Sequence, residues 1–243
     1  MTDKTCLIIG AGDGLGQALS KKFAQEGYDL ALISRTKGSS QVALEGATKA
    51  KPGGRHLYYS GDATKPESLS KTVAKIEADV NGIEILIYNA RGDYTLKEPI
   101  EMTFSDLEEI YRLEVVGAFA ATKILLPSML QRNEGTIIYS SATAAFRGSG
   151  TNPLYAIGKF GLRALSQSLA KAYSKKGIHI AHIRLDCTLD VPLIRQWYGD
   201  NFVEEETANV DDVAESYWWV HKQPKSAWSN EVELRPYTEN WSF

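Results

Sequence analysis

The sequence has few of the features that mark secreted, metal-bound or nucleic-acid-binding proteins. Its 243 residues include two cysteines, Cys6 and Cys187. That is too few for a disulfide framework, and Cys6, inside the apolar run Thr5-Cys6-Leu7-Ile8-Ile9, reads as a buried small hydrophobe. The four histidines show no ligand spacing, so no metal site is expected. Positive charge is not in excess. The 27 basic and 30 acidic side chains leave a net charge of -3, with no basic run, so no nucleic-acid partner is expected. No apolar run approaches the roughly 20 residues of a membrane helix, so no membrane partner is expected either. Met1 to Lys4 is short and polar and a strand-like run follows at once, so no signal peptide is expected. The cysteine count and a pI of about 5.9 fit a reducing, cytoplasmic setting. Internal repeats and low-complexity segments are absent.

What is there is enough apolar sequence, 43%, for one sizeable core, and the length suits a single domain over 1–243. Short apolar runs alternate with amphipathic stretches. Strands are expected at Thr5 to Ile9, Tyr28 to Ile33, His56 to Tyr59, Glu84 to Tyr88, Thr136 to Tyr139 and Ile178 to Ile183. Helices are expected at Leu15 to Gln25, Leu69 to Val80, Thr103 to Gln131 and Pro153 to Lys176. Continuously apolar strands separated by helices imply an α/β fold with a doubly wound parallel sheet, a Rossmann fold. From Asp186 to Asn209 the alternation stops, and 186–209 reads as a substrate-covering loop with a short helix. The tail from Asp211 starts as a helix, ends with a strand near Glu231 to Arg235, and is rich in aromatics: Tyr217, Trp218, Trp219, Trp228, Tyr237 and Trp241. Some of these are expected at a subunit interface or over the substrate.

Four constellations carry chemistry. Gly10-Ala11-Gly12-Asp13-Gly14-Leu15-Gly16 follows a strand and opens a helix, the context in which glycines let a backbone approach a pyrophosphate. Ser34-Arg35-Thr36 ends the second strand. A carboxylate there would favour NAD, whereas the fork of Arg35 suits a 2′-phosphate and favours NADP. Asp13 opposes that choice, so NAD stays open. Asp62, in Gly61-Asp62-Ala63-Thr64, suits either an adenine amino group or the cap of the next helix. Tyr155 and Lys159 lie four apart on one helix face, and an ammonium near a tyrosine hydroxyl favours the phenolate, which suits a general acid or base.

In this order and spacing, the glycines 10, 14 and 16, the Asp62 turn, Asn89-Ala90 after the fourth strand, and Tyr155 with Lys159 resemble the short-chain dehydrogenase/reductase family over nearly the full length. The resemblance implies an NAD(P) cofactor and hydride transfer between nicotinamide and a small carbonyl or alcohol substrate. Tyr155 would protonate the carbonyl oxygen, Lys159 would bind the nicotinamide ribose, and Asn89 would support the cofactor. It also implies a homodimer or homotetramer built on the two long helices, with Phe119, Leu125, Leu162, Leu165 and Leu169 available for packing. The chain departs from the family at its substrate end. Counting 13 residues back from Tyr155 gives Ala142 where a serine is usual; Ser140 and Ser141 stand beside it, and Ser141 serves only if the local loop bends differently. Glu114 replaces the helix asparagine and Asp186-Cys187 the usual Pro-Gly. Arg91 replaces the glycine after Asn-Ala.

The leading expectation is therefore an NADP(H)-dependent oxidoreductase. Tyr155 and Lys159, with Ser141 and Glu114, are its catalytic candidates. Gly10, Gly12, Asp13, Gly14, Leu15, Gly16, Ser34, Arg35, Asp62, Ala63, Asn89, Ala90, Tyr155 and Lys159 are its cofactor candidates. The departures support a second reading, a dinucleotide-binding sensor or scaffold with little catalysis. A third is different chemistry on the same fold, served by Glu114 or Asp190. Arg91, Tyr94, Arg147, Leu154 and the 186–209 loop are expected to shape the pocket, and the two arginines favour an acidic or phosphorylated ligand.

Overall fold

Each short apolar run becomes a strand because only a sheet covered on both faces hides it. A computed structural model describes residues 4–80, 82–92 and 96–239. Its strands are β1 (Thr5–Ile9), β2 (Asp29–Ser34), β3 (His56–Ser60), β4 (Ile83–Tyr88), β5 (Gly135–Ala142), β6 (Ile178–Leu185), β7 (Thr188–Asp190), β8 (Thr207–Asn209) and β9 (Glu231–Leu234). The helices are α1 (Leu15–Gln25), α2 (Gln41–Ala50), α3 (Pro66–Asp79), α4 (Phe104–Tyr111), α5 (Gly117–Arg132), α6 (Pro153–Tyr173), α7 (Pro192–Tyr198) and α8 (Val210–Lys222). Seven strands form one sheet in the order β3-β2-β1-β4-β5-β6-β9, and every pairing is parallel. This is the doubly wound α/β arrangement.

Successive strand residues enter opposite core layers. Cys6, Ile8, Leu30 and Leu32 pack with α1 and α8, whereas Leu7, Ile9, Ala31 and Ile33 pack with α3, α5 and α6. The chain winds outward from β1 through β2 to β3, then returns to start β4 on the other side of β1. That reversal opens a crevice at the carboxyl ends of β1 and β4, where such folds bind ligands.

Several expectations needed correction. The helix expected over Thr103 to Gln131 is interrupted by a π-helical turn at Arg112–Val116. Such a turn releases a carbonyl from the helical ladder, and the Tyr88 hydroxyl donates to the carbonyl of Leu113 within it. From Phe104 to Arg132 this element is long and apolar enough to cross a membrane, but just over half of its most apolar window, 56%, is buried in the fold. Helix α2 was not foreseen, since only Ala43 and Ala47 are buried on it and the stretch has almost no large apolar stripe. The 186–209 stretch contains the two-strand parallel pair β7–β8 as well as α7. Leu125, Leu162 and Leu169 are core residues, and Phe119 alone of the helix residues named for assembly is well exposed, at 44%. Among the tail aromatics, Tyr217 is buried, Trp218 packs against the core and Trp228 stacks on His179. Trp219 and Tyr237 are exposed. Trp241 and Tyr94 lie outside the described residues.

Candidate active site

A cleft of about 1150 Å³ runs along the carboxyl ends of the strands. The turn between β1 and α1 forms one end. Gly10 has φ +87°, and a Cβ there would lie 2.6 Å from the backbone nitrogen of Ala90. Glycine is required on both counts. Its N–H donates to the Ile33 carbonyl at 2.9 Å, and its carbonyl accepts from the Asn89 side-chain amide at 3.0 Å. A Cβ on Gly16 would come within 2.7 Å of the Gly10 carbonyl oxygen, so α1 is seated directly on the turn. A Cβ on Gly12 would meet nothing within 4 Å. This turn therefore leaves open space at Gly12, where a pyrophosphate needs close approach. The first turn of α1 has no side-chain cap and no acidic residue, so its amides suit an anion. Leu15 is buried in the core and Asp13 is exposed at the cleft rim.

Ser34 and Arg35 divide the work at the end of β2. The Ser34 hydroxyl meets that of Ser40 at 2.7 Å, and Ser40 donates to the Ala11 carbonyl at 2.8 Å, so Ser34 buttresses the glycine turn. The Arg35 guanidinium is exposed and has no hydrogen-bond or ion-pair partner among the described residues. Asp62 accepts from both the backbone N–H of Thr64, at 3.0 Å, and its hydroxyl, at 2.7 Å. These bonds and nearby Lys65 outweigh partial burial and lower the Asp62 carboxyl below its ordinary range. Asp62 shapes the turn before α3 and does not cap it; the residue preceding α3, Lys65, has no side-chain cap bond. Ala63 is buried, and Asn89 and Ala90 line the floor.

At the other end, the π-helical turn inserts Glu114 beneath α6. Glu114 and Lys159 are 0% and 2% exposed at their side chains, with Nζ 2.8 Å from Oε2. The second Glu114 oxygen accepts the Gly92 N–H at 3.2 Å. Burial works against the Lys159 charge, but Glu114 and Tyr155 outweigh it and hold the ammonium above its ordinary range. Gly158 makes this fit, because a Cβ there would lie 2.8 Å from Glu114 Cγ. Lys159 also donates to the Ser140 carbonyl at 3.2 Å. An ammonium carries three protons, so one remains for a ligand. Nζ sits 5.5 Å from the centroid of the Tyr155 ring, and Tyr155 lines the cleft, half-buried.

The two serines have different partners. The Ser140 hydroxyl accepts from Tyr217 at 2.9 Å, on the α8 side. The Ser141 hydroxyl is buried with no hydrogen-bond partner among the described residues, and Ser141 lines the cleft. Ala142 ends β5 and also lines it, and a 3-10 turn at Thr143–Ala145 follows at once. The cleft thus brings together Ser141, Tyr155, Lys159 and the glycine turn, with Glu114 buried behind Lys159. Asp190 is taken by Arg195, with two contacts of 2.6 Å.

Sequence reasoning missed the groups that brace this end. Asp186 accepts from the Thr143 hydroxyl and lies 2.5 Å from Arg235 Nη2, which ties the loop after β5 to the carboxyl-terminal strand. No local pattern signals a network whose members are 43 and more residues apart. Gly158 and Gly92 were the readable clues, small residues beside a helix carboxylate. Cys187 lines the cleft, but burial pushes its thiol up to about 12, which suppresses the reactive thiolate. No group of His, Cys, Asp or Glu among the described residues forms a metal site.

Comparison with known proteins agrees with this fold. The family model described as short chain dehydrogenase matches residues 4–196. Carbonyl reductase family member 4 of Xenopus tropicalis is 30% identical over 179 residues, 73% of this chain and 72% of that protein. A solved short-chain dehydrogenase from Rhodopseudomonas palustris superposes with a TM-score of 0.81 at 29% identity, covering 96% of this chain and 99% of the other. L-Sorbose reductase from Gluconobacter frateurii, solved with NADPH and L-sorbose, has the same fold, with a TM-score of 0.84 at 20% identity over 97% and 96% of the two chains. The chain belongs to the short chain dehydrogenase family.

Proposed function

We propose that the protein is an NADP(H)-dependent oxidoreductase acting on a small carbonyl or alcohol. The observation that carries this reading is that Ser141, whose buried hydroxyl has no partner among the described residues, lines the same cleft as Tyr155 and Lys159, with Glu114 paired behind Lys159. The glycine turn and the uncapped start of α1 fit a dinucleotide pyrophosphate, held by Gly12, Asp13, Gly14 and Leu15. Arg35 fits the 2′-phosphate of NADP, and Asn89 and Ala90 fit the nicotinamide half. The NADPH in the sorbose reductase relative agrees with that choice. The 186–209 stretch contributes Cys187, Thr188, Leu189 and residues of α7 to the cleft lining, a position that suits a stretch covering the substrate.

When bound, the cofactor supplies or accepts the hydride. Tyr155 hands its proton to the carbonyl oxygen during reduction and takes it back during oxidation. Ser141 donates a hydrogen bond to the same oxygen, an interaction worth about 2.7–4 kcal/mol in comparable sites. Lys159 steadies the tyrosine through its charge and offers its remaining N–H to the nicotinamide ribose. Glu114 is a positioning residue: it fixes the ammonium and, through Gly92, the backbone after β4. Burying two charged groups is expensive, and their mutual pairing offsets that cost.

The test is an assay of the wild-type protein with NADPH and with NADH over a panel of aldehydes, ketones and alcohols. Turnover is expected, with NADPH preferred. Tight NADPH binding without turnover of any member would overturn the oxidoreductase reading and leave a dinucleotide-binding sensor. Phe119 and the other exposed apolar side chains of α4 to α6 support a homo-oligomer built on that face, which sedimentation would reveal.

A further inference from the structure

The cleft contains a positive charge that the described residues leave unpaired. Arg91 follows Ala90 beyond β4 and lines the cleft. Its position is fixed from behind, since the next residue, Gly92, is buried and donates its N–H to Glu114. The charge is near enough to Lys159 to act against that ammonium. Neighbouring cations are already engaged. Lys97 lies 2.7 Å from Asp106, Lys159 lies 2.8 Å from Glu114, and Arg195 is paired with Asp190 and Glu204. Arg91 is exposed and has no hydrogen-bond or ion-pair partner among the described residues.

The same cleft has an uncovered apolar wall. On α7, Leu193, Trp197 and Tyr198 line it and are 44%, 63% and 50% exposed. Three large apolar side chains on a seven-residue helix, all at a cleft, mark a surface that a ligand covers. A small neutral carbonyl compound would engage neither the wall nor the guanidinium.

We infer that the substrate is an oxo acid, with an apolar body that covers Leu193, Trp197 and Tyr198 and a carboxylate that pairs with Arg91. This rests on the oxidoreductase reading above and adds the substrate class. One guanidinium fork matches one carboxylate, with two parallel N–H donors. The pairing fixes the substrate at its acid end, while Ser141 and Tyr155 receive the carbonyl oxygen.

The test uses phenyl- and hexyl-substituted oxo acids, each beside its methyl ester, with NADPH. The wild type should prefer each acid over its ester, and Arg91→Ala should raise KM for the acids by about 10- to 100-fold, the range of a charge-assisted bond. The ester's kcat/KM and the affinity for NADPH should not change. Arg91→Lys should recover part of the preference, since it keeps the charge and loses the fork. Equal use of acid and ester by the wild type, or an Arg91→Ala loss shared by both, would overturn the inference. If the wild type reduces none of these compounds, the oxidoreductase reading fails separately, and calorimetric titration of the acids into NADP-loaded protein decides the substrate class. Binding that is lost in Arg91→Ala supports it. Absent or unaffected binding overturns it.

Discussion

Where β1 meets α1 the cleft wall is backbone, whereas beyond β4 and β5 it is made of side chains. At the end proposed for the cofactor, Gly10 and Gly16 pack where a Cβ would clash, Gly12 leaves open space, and the groups on offer are the uncapped main-chain amides of α1. At the end proposed for the substrate, Glu114 with Lys159 and Asp186 with Arg235 form buried ion pairs, and Ser141 presents an unpartnered hydroxyl. A backbone site depends on a spacing that few sequences satisfy. A side-chain site can be rebuilt from other residues, provided that buried charges stay paired. This explains why the chain keeps the family's glycine spacing and departs from its substrate-end residues.

The comparison can be broken most forcefully at Glu114. Glu114→Ala leaves the Lys159 ammonium buried without its partner, and thermal or denaturant unfolding should show a loss of about 3–5 kcal/mol. Glu114→Gln, which still accepts a hydrogen bond, should lose less. An equal loss in both would mean that shape, not charge, matters at this position.

Next is the serine pair. Ser141→Ala should lower kcat by roughly 100- to 1000-fold, the loss of one donor worth about 2.7–4 kcal/mol, while NADPH affinity holds. Ser140→Ala should leave kcat nearly intact and cost about 1 kcal/mol of stability through the lost Tyr217 bond. The reverse ranking would move the substrate hydroxyl to Ser140.

Acid should act on neither end in particular. His182 is buried and the His221 side chain is largely covered, and this burial lowers both pKa values to about 4. Unfolded histidine takes up its proton below about 6.5, so stability is complete above that pH and falls as pH drops toward 4. Each histidine should contribute on the order of 2–3 kcal/mol of that loss. His221→Gln should flatten the curve of stability against pH.

The smallest effect sharpens the cofactor end. Arg35→Ala should weaken NADPH binding by roughly 10- to 100-fold and leave NADH binding unchanged, as measured by fluorescence titration. Equal losses for both would place Arg35 away from the 2′-phosphate.

Much of the fold was legible because strands buried on both faces must be apolar throughout. β1 and α1 were placed residue for residue, and β9 to within one residue. α2 escaped because alanines bury it without a large apolar stripe. The π-helical turn escaped because it is a defect of the hydrogen-bond ladder, with no composition of its own. In the site, Tyr155 and Lys159 were readable because a helix converts spacing into direction. Ser141 was named beside Ala142 but not separated from it, because counting back from Tyr155 crosses a strand end and a 3-10 turn, where sequence distance no longer reports side-chain position. The count pointed to Ala142, yet the residue at the cleft with a buried, unpartnered hydroxyl is Ser141. Asp186 escaped because Thr143 and Arg235 meet it only in the folded chain.

The separation between a backbone-built cofactor end and a side-chain-built reaction centre is tested most directly at Tyr155. Single-turnover oxidation of bound NADPH should be followed in Tyr155→Phe beside an NADPH titration of the same protein. The account predicts unchanged NADPH affinity and a hydride-transfer rate lower by at least about 100-fold, the loss of a general acid. An unchanged rate would contradict it.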